Sequence, residues 1–129
     1  MRVIIADDHP LFRTALSHAV GKVWEGAEVV EASSAADARQ ELAQGAEALL
    51  LDLHMEDSSG LSVLMDLRQD FPALPIVIVS ASEEPRVYAA AEQLGAAGFI
   101  PKSAGLDDMR GSLAAVRDGD RSFPANDGG

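Results

Sequence analysis

Val3-Ile4-Ile5-Ala6-Asp7-Asp8-His9-Pro10 decides how this chain reads: an apolar run ends on paired acids, and a proline follows almost at once. Four apolar residues between Arg2 and Asp7 are too few for a membrane span or a signal-peptide core, and suit a buried strand. Pro10 is well placed to open a helix, and Phe12, Ala15, Leu16, Ala19 and Val23 then recur at helical spacing. The opening is therefore strand, acidic turn, helix.

The same unit repeats along the chain. Glu28–Ala32 reads as a second strand, and Ser34-Ala35-Ala36-Asp37 as a helix-opening capping box with Asp in place of Glu. Ala35, Ala38 and Leu42 give that helix its inward stripe. Residues 46–51 form a third strand, and Leu61, Leu64, Leu67 and Phe71 a helical face that stops before Pro72. Residues 75–80 are almost wholly apolar, which marks a central strand. Glu83 and Glu84 suit a helix N-terminus, with Val87, Ala90, Ala91 and Leu94 on the buried side and Tyr88 facing solvent. Gly98–Pro101 is a short fifth strand, and Leu106, Met109, Leu113 and Val116 mark the last helix. Five alternations of strand and helix predict a parallel sheet covered on both faces.

Parallel strands joined by helices put every downstream end on one sheet edge, where open α/β folds place ligand sites. Four runs here end on reactive groups: Asp7 and Asp8 after the first strand, Asp52 after Leu49-Leu50-Leu51, Ser80 after Ile76-Val77-Ile78-Val79, and Lys102 after Phe99-Ile100-Pro101. Any one acid at a strand end is most often a solvated loop residue or a helix cap. Chance would scatter such groups over both edges, so their joint placement points to a site. Carboxylates at that edge repel by about 4 kcal/mol per pair at 4 Å and an effective dielectric near 20, so a cation is required. All-oxygen donors favour a hard ion such as Mg²⁺. Three carboxylates, one divalent ion and the Lys102 ammonium sum to zero charge. Phosphoryl transfer needs chiefly positioning and electrostatic stabilisation, and Asp52, alone at the end of its strand, is the best-placed nucleophile. His9 and His54 flank the cluster and raise zinc as a thought, but solvated loop histidines are commoner. His18 is expected on an outer helix face, and Trp24 over the core.

With 129 residues, 47% hydrophobic and 24% charged, the chain fits one domain with one core. Absence of cysteine excludes disulfides, thiolate zinc and cysteine nucleophiles. A net charge of −11 argues against direct nucleic-acid binding. No apolar stretch approaches membrane-span length, so no membrane is expected and a cytoplasmic location is the default.

At these residues the chain resembles a receiver domain of bacterial two-component response regulators, and the segment from Val3 to Arg13 is similar to receivers that precede a LuxR/NarL-type helix-turn-helix domain. The resemblance spans residues 1–119, leaving residues 120–129 as a linker or disordered tail. It implies a flavodoxin-like (βα)5 doubly wound α/β sheet in three layers with strand order 2-1-3-4-5. It also implies that Asp52 accepts phosphate from a histidine kinase or phosphotransfer protein, and that Asp8, Asp52 and the backbone carbonyl of His54 bind Mg²⁺, with Asp7 contributing through water. Ser80 and Lys102 would engage phosphoryl oxygens, and Phe99 would turn inward when Ser80 shifts. Output would pass through the fourth helix, fifth strand and fifth helix, where Arg86, Arg110 and Arg117 suit a homodimer. DNA would be reached only through a further domain. Such a protein phosphorylates its own aspartate and is not a conventional turnover enzyme.

Glu56 stands where many receivers have proline, and Ser103 stands where the wider family has a proline in a cis bond. A cis bond to serine costs ~3 to 4 kcal/mol, so a trans bond and a differently shaped turn are expected. Other aspartyl chemistries fit less well. A haloacid-dehalogenase-like phosphatase needs a second Asp where His54 stands, a flavin phosphate would meet Asp7 and Asp8, and no Gly-x-Gly-x-x-Gly is present. The remaining alternative is a receiver-fold interaction module that works without phosphorylation.

Overall fold

The protein is described here from a computed structural model, which covers residues 2–55 and 60–124. In chain order the elements are β1 (Arg2–Ala6), α1 (Pro10–Val23), β2 (Glu28–Ala32), α2 (Ala35–Leu42), β3 (Ala48–Asp52), α3 (Leu61–Asp70), β4 (Ile76–Ser80), α4 (Pro85–Gln93), β5 (Gly98–Pro101) and α5 (Leu106–Arg117). The strands form one parallel sheet in the order β2-β1-β3-β4-β5, the flavodoxin-like arrangement expected. No described helix is long and apolar enough to cross a membrane.

Because successive strand residues point to opposite faces, β1, β3 and β4 supply two cores at once. Ile4, Leu49, Leu51, Ile76 and Ile78 meet Ala38, Leu42, Leu64, Leu67 and Ala91 from α2, α3 and α4. On the other face Val3, Ile5, Leu50, Val77 and Val79 meet Leu16, Val20, Met109 and Leu113 from α1 and α5. Each fully buried Leu, Ile or Val contributes roughly 1.5–3 kcal/mol, so the sheet is the rigid part of the molecule and its downstream edge is a firm platform. Arg117 ties the two outer helices of one layer together by donating to the carbonyl of Val23 at 2.9 Å.

Trp24 is buried and His18 exposed, as the pattern suggested. Several details differ from the sequence reading. β3 begins two residues later than expected, since Ala46 is half-buried and Glu47 exposed, and it extends to Asp52, which stays in register with Val79. Tyr88 does not face solvent: it is buried, with its ring edge-on to Phe99 at 4.6 Å between centroids. α4 turns Tyr88 and Ala91 inward, three residues apart, and leaves Val87 and Leu94 half-buried. Leu106 is the first residue of α5 and is 52% exposed, ahead of the stripe formed by Met109, Leu113 and Val116. At the start of α2, the Asp37 amide donates to Ser34 Oγ at 3.0 Å, while the Asp37 carboxylate accepts from Ser33 Oγ at 3.4 Å. The Lys102–Ser103 bond is trans, like every peptide bond of the described residues. Glu56 lies outside the described residues.

Beyond α5 the chain does not simply leave the sheet. Gly119, at φ 91°, takes the left-handed conformation that glycine adopts without a Cβ penalty, and the chain reverses there. Ser122 then forms a parallel bridge with Gly98 on the free edge of β5. The contact lies past the residue-119 boundary expected for the domain, and residues 125–129 of the expected tail lie outside the described residues.

Candidate functional site

The turn after β1 is tied down through backbone groups. The Asp7 amide donates to the Ala32 carbonyl at 3.0 Å, and Arg13, from the first turn of α1, donates to the Asp7 carbonyl at 2.9 Å. Asp7 Oδ1 accepts the His9 amide at 2.7 Å, which orients the carboxylate across the sheet edge. In the same way Asp52 Oδ1 accepts the His54 amide at 3.0 Å. Each acid uses one oxygen to fold its own loop and leaves the other for the site.

Those second oxygens converge on Lys102. Its Nζ lies 3.2 Å from Asp52 Oδ2 and 3.3 Å from Asp7 Oδ2, and both aspartates are fully buried. Lys102 is positioned by β5, which ends at Pro101, and by its own amide donating to the Ser80 carbonyl at 2.8 Å. The ammonium also stands 5.0 Å above the Phe12 ring. The helical spacing that singles out Phe12 does not show this contact, although the first turn of a helix opened by Pro10 lies beside the β1 end.

His9 is exposed, as expected of a loop histidine flanking the acids, and its ring reaches them. Its Nδ1 lies 3.2 Å from Asp8 Oδ1, 3.4 Å from Asp7 Oδ1, 3.7 Å from Asp52 Oδ2 and 3.0 Å from Lys102 Nζ. Ligand atoms of Asp7, Asp8, His9 and Asp52 all fall within 4.8 Å of one another. Neither Asp7 Oδ2 nor Asp8 Oδ1 accepts a hydrogen bond, though both atoms are buried. Lys102 brings one positive charge beside Asp7 Oδ2, but one ammonium does not offset three carboxylates, so the donor set fits a hard divalent ion as well.

His54 points elsewhere. Its Nε2 lies 3.0 Å from Ser80 Oγ, and the Ser82 amide donates to the same hydroxyl at 3.1 Å. Ser80 is fully buried at the end of β4, facing the site but engaged with these two partners. Phe99 is buried beneath, against Tyr88. The structure thus brings Asp7, Asp8, Asp52 and Lys102 into one cluster, with Ser80 linked to it through His54 and the β4–β5 register.

A buried acidic cluster and one lysine at the downstream edge of a 2-1-3-4-5 sheet define a class: the chain belongs to the response regulator receiver domain family, whose sequence profile matches residues 3–114. It is similar to the glycerol metabolism activator of Pseudomonas putida, 36% identical over 125 residues covering 95% of this chain and 57% of that protein. It is also similar to the transcriptional activator protein ExaE of Pseudomonas putida, 33% identical over 105 residues covering 81% of this chain and 49% of that protein. The chain therefore spans about half the length of these curated relatives. Among solved structures, the isolated REC domain of RcsB from Salmonella enterica serovar Typhimurium with phosphomimetic BeF3⁻ superposes with a TM-score of 0.87 at 26% identity, covering 96% of this chain and 93% of that one.

Proposed function

We propose that this receiver domain takes a phosphoryl group onto Asp52, from a histidine kinase or phosphotransfer protein in the cytoplasm, and thereby switches a transcriptional output domain. The observation that carries the reading is the buried Asp52 carboxylate, with one oxygen fixed by the His54 amide and the other beside the Lys102 ammonium and the Asp7–Asp8 pair. An Asp52 oxygen attacks the donor phosphorus and forms an acyl phosphate as the bond from phosphorus to the donor imidazole breaks, the electron pair returning to that nitrogen. Lys102 pairs with one phosphoryl oxygen as charge moves onto the Asp52 side, and Ser80 donates to another after releasing His54. Mg²⁺, held by Asp8, Asp52 and the His54 carbonyl with Asp7 acting through water, would supply the remaining positive charge. The relatives' names, a metabolism activator and a transcriptional activator, support a transcriptional output. The contact of Phe99 in β5 with Tyr88 of α4, ring centroids 4.6 Å apart, supports an output face made of α4, β5 and α5, through which two copies would pair.

Acetyl phosphate with Mg²⁺ is expected to add one acid-labile phosphoryl group, read by intact mass, and chelation to abolish it. Equal labelling of an Asp52→Asn variant would remove Asp52 from its assigned role.

A further inference from the structure

β5 is the last strand of the ladder, and an open strand edge leaves backbone donors and acceptors available to other chains. Here the chain covers that edge itself. The Phe99 amide donates to the Ser122 carbonyl at 2.9 Å, and the Ser122 amide donates to the Ala97 carbonyl at 3.1 Å. On either side of the bridge, Arg121 reaches Glu92 of α4 at 3.8 Å, and Phe123 packs on the core cluster that holds Phe99, Tyr88 and Ala91. Residues 121–124 therefore lie as a short arm along β5, with a cleft of about 500 Å³ between the arm, β5 and the start of α5.

Gly98 is what allows the arm so close. A Cβ at this position would fall 2.8 Å from the Ser122 carbonyl oxygen and 3.3 Å from Val116 Cγ2. The first contact is with backbone and has no flexible end to yield, so any side chain at residue 98 must push the arm away. A four-residue strand with glycine on its free edge is otherwise a poor choice, since glycine weakens strands.

We propose that the arm masks the α4–β5–α5 face from a second copy of this chain, so that self-association requires the arm to leave β5. The proposal rests on the output face named above and adds a gate to it. A second copy is the occupant that the charges favour. In a chain of net charge −11, three of the ten basic residues, Arg86, Arg110 and Arg121, lie on α4, α5 and the arm, whereas Arg117 turns toward α1. Each of the three already has an acid beside it: Glu84, Asp107 and Glu92 respectively. Arg–acid pairs in this pattern can exchange partners across a two-fold axis, whereas the rest of the acidic surface repels itself.

The Phe99 amide gives a direct reading of the arm, because its hydrogen bond is to Ser122 and not to β4. Hydrogen exchange and sedimentation velocity are measured on the full chain, on Gly98→Ala and on Phe123→Ser, with exchange at Ile78 in β4 reporting that the sheet is intact. Expected are a wild-type monomer with a protected Phe99 amide, and variants whose Phe99 amide exchanges about tenfold faster or more while a discrete dimer forms at the same concentration. Three results would overturn the proposal: fast Phe99 exchange in wild type, a wild-type dimer that keeps Phe99 protected, or a variant that loses Phe99 protection and stays monomeric. If one variant loses Ile78 protection, the other decides. Beryllofluoride binding at Asp52, followed separately by fluorine NMR, tells the two readings apart. Failure to bind there counts against the phosphoacceptor role and leaves the arm's gate standing on the variants.

Discussion

Replacing Lys102 by Met removes the one ammonium that neutralises two buried carboxylates, and the cost is large in the absence of metal. Nζ lies 3.2 Å from Asp52 Oδ2 and 3.3 Å from Asp7 Oδ2, so each contact is a Coulomb attraction of about 5 kcal/mol at an effective dielectric near 20. Desolvation of the three groups offsets much of that in the native protein. Deleting one partner leaves the desolvation in place without the attraction, and buried pairs broken in this way lose roughly 3–5 kcal/mol. With a urea m-value of about 1.5 kcal/mol/M, the unfolding midpoint should fall by about 2 to 3 M in EDTA. Mg²⁺ meets the same oxygens, so it should restore part of the loss, by about 2.7 kcal/mol at a hundred times its dissociation constant. The variant should also bind Mg²⁺ more tightly than wild type, since the competing ammonium is gone. Urea melts in EDTA and in Mg²⁺, with metal affinity from thermal shifts, measure all three effects. A midpoint in EDTA that moves by less than about 0.5 M would refute the reasoning, and would assign the neutralisation to another group such as His9.

Three other outcomes follow from particular contacts. Ser80 must release His54 Nε2, 3.0 Å away, before it can meet a phosphoryl oxygen, so His54→Ala should change the decay rate of the phosphorylated form by about 2- to 10-fold, the worth of one hydrogen bond, without preventing its formation. Unchanged decay by intact mass would place His54 outside the phosphoryl environment. Ser34→Ala removes the acceptor of the Asp37 amide and should cost about 1 kcal/mol in a urea melt, whereas no loss would mean that the α2 cap is dispensable. Tyr88 is the only tyrosine, and burial, then the nearby Glu83 carboxylate, raises its phenol above the ordinary 10.0. The folded state thus holds this proton more tightly than the unfolded state, and its contribution is intact below pH 10.0 and lost as pH rises through the folded value. Tyrosinate absorbance should show a midpoint above 10.0 in the native protein, and an ordinary midpoint would put the ring in solvent.

How much of this could be read from the chain depends on how far each signal travels along it. The sheet was legible because β1, β3 and β4 are apolar on both faces, and only a parallel sheet covered by helices buries both. Asp7, Asp8, Asp52, Ser80 and Lys102 were legible for a topological reason: once the strands are parallel, their downstream ends must share an edge. The helix facings were harder. Nothing near Tyr88 in sequence distinguishes a ring turned toward Phe99 from one turned to water, since Val87 and Tyr88 are adjacent and either stripe contains Ala91 or its neighbour. What decides is the space above Phe99, eleven residues away and in another element. His54 illustrates the same limit within the site. Its spacing from Asp52 puts it at the mouth, but its hydrogen bond goes to Ser80, across the gap between two strands.

The arm was the least legible feature, because its own composition argued against it. Asp118, Gly119, Asp120, Ser122 and Pro124 read as turn and linker residues, and only Phe123 suggests a residue that needs cover. The informative signal was on the other side of the contact. Glycine opening a strand as short as Gly98–Pro101 carries no packing advantage for that strand, whose buried neighbours are Phe99 and Ile100. Its value appears only when another backbone comes within reach, and the 2.8 Å approach of the Ser122 carbonyl to the missing Cβ supplies one. A glycine at the free edge of a last strand is therefore a reason to look for a segment that closes it. Here that segment is held through Phe99, whose ring meets Tyr88 of α4 and whose strand continues directly into Lys102.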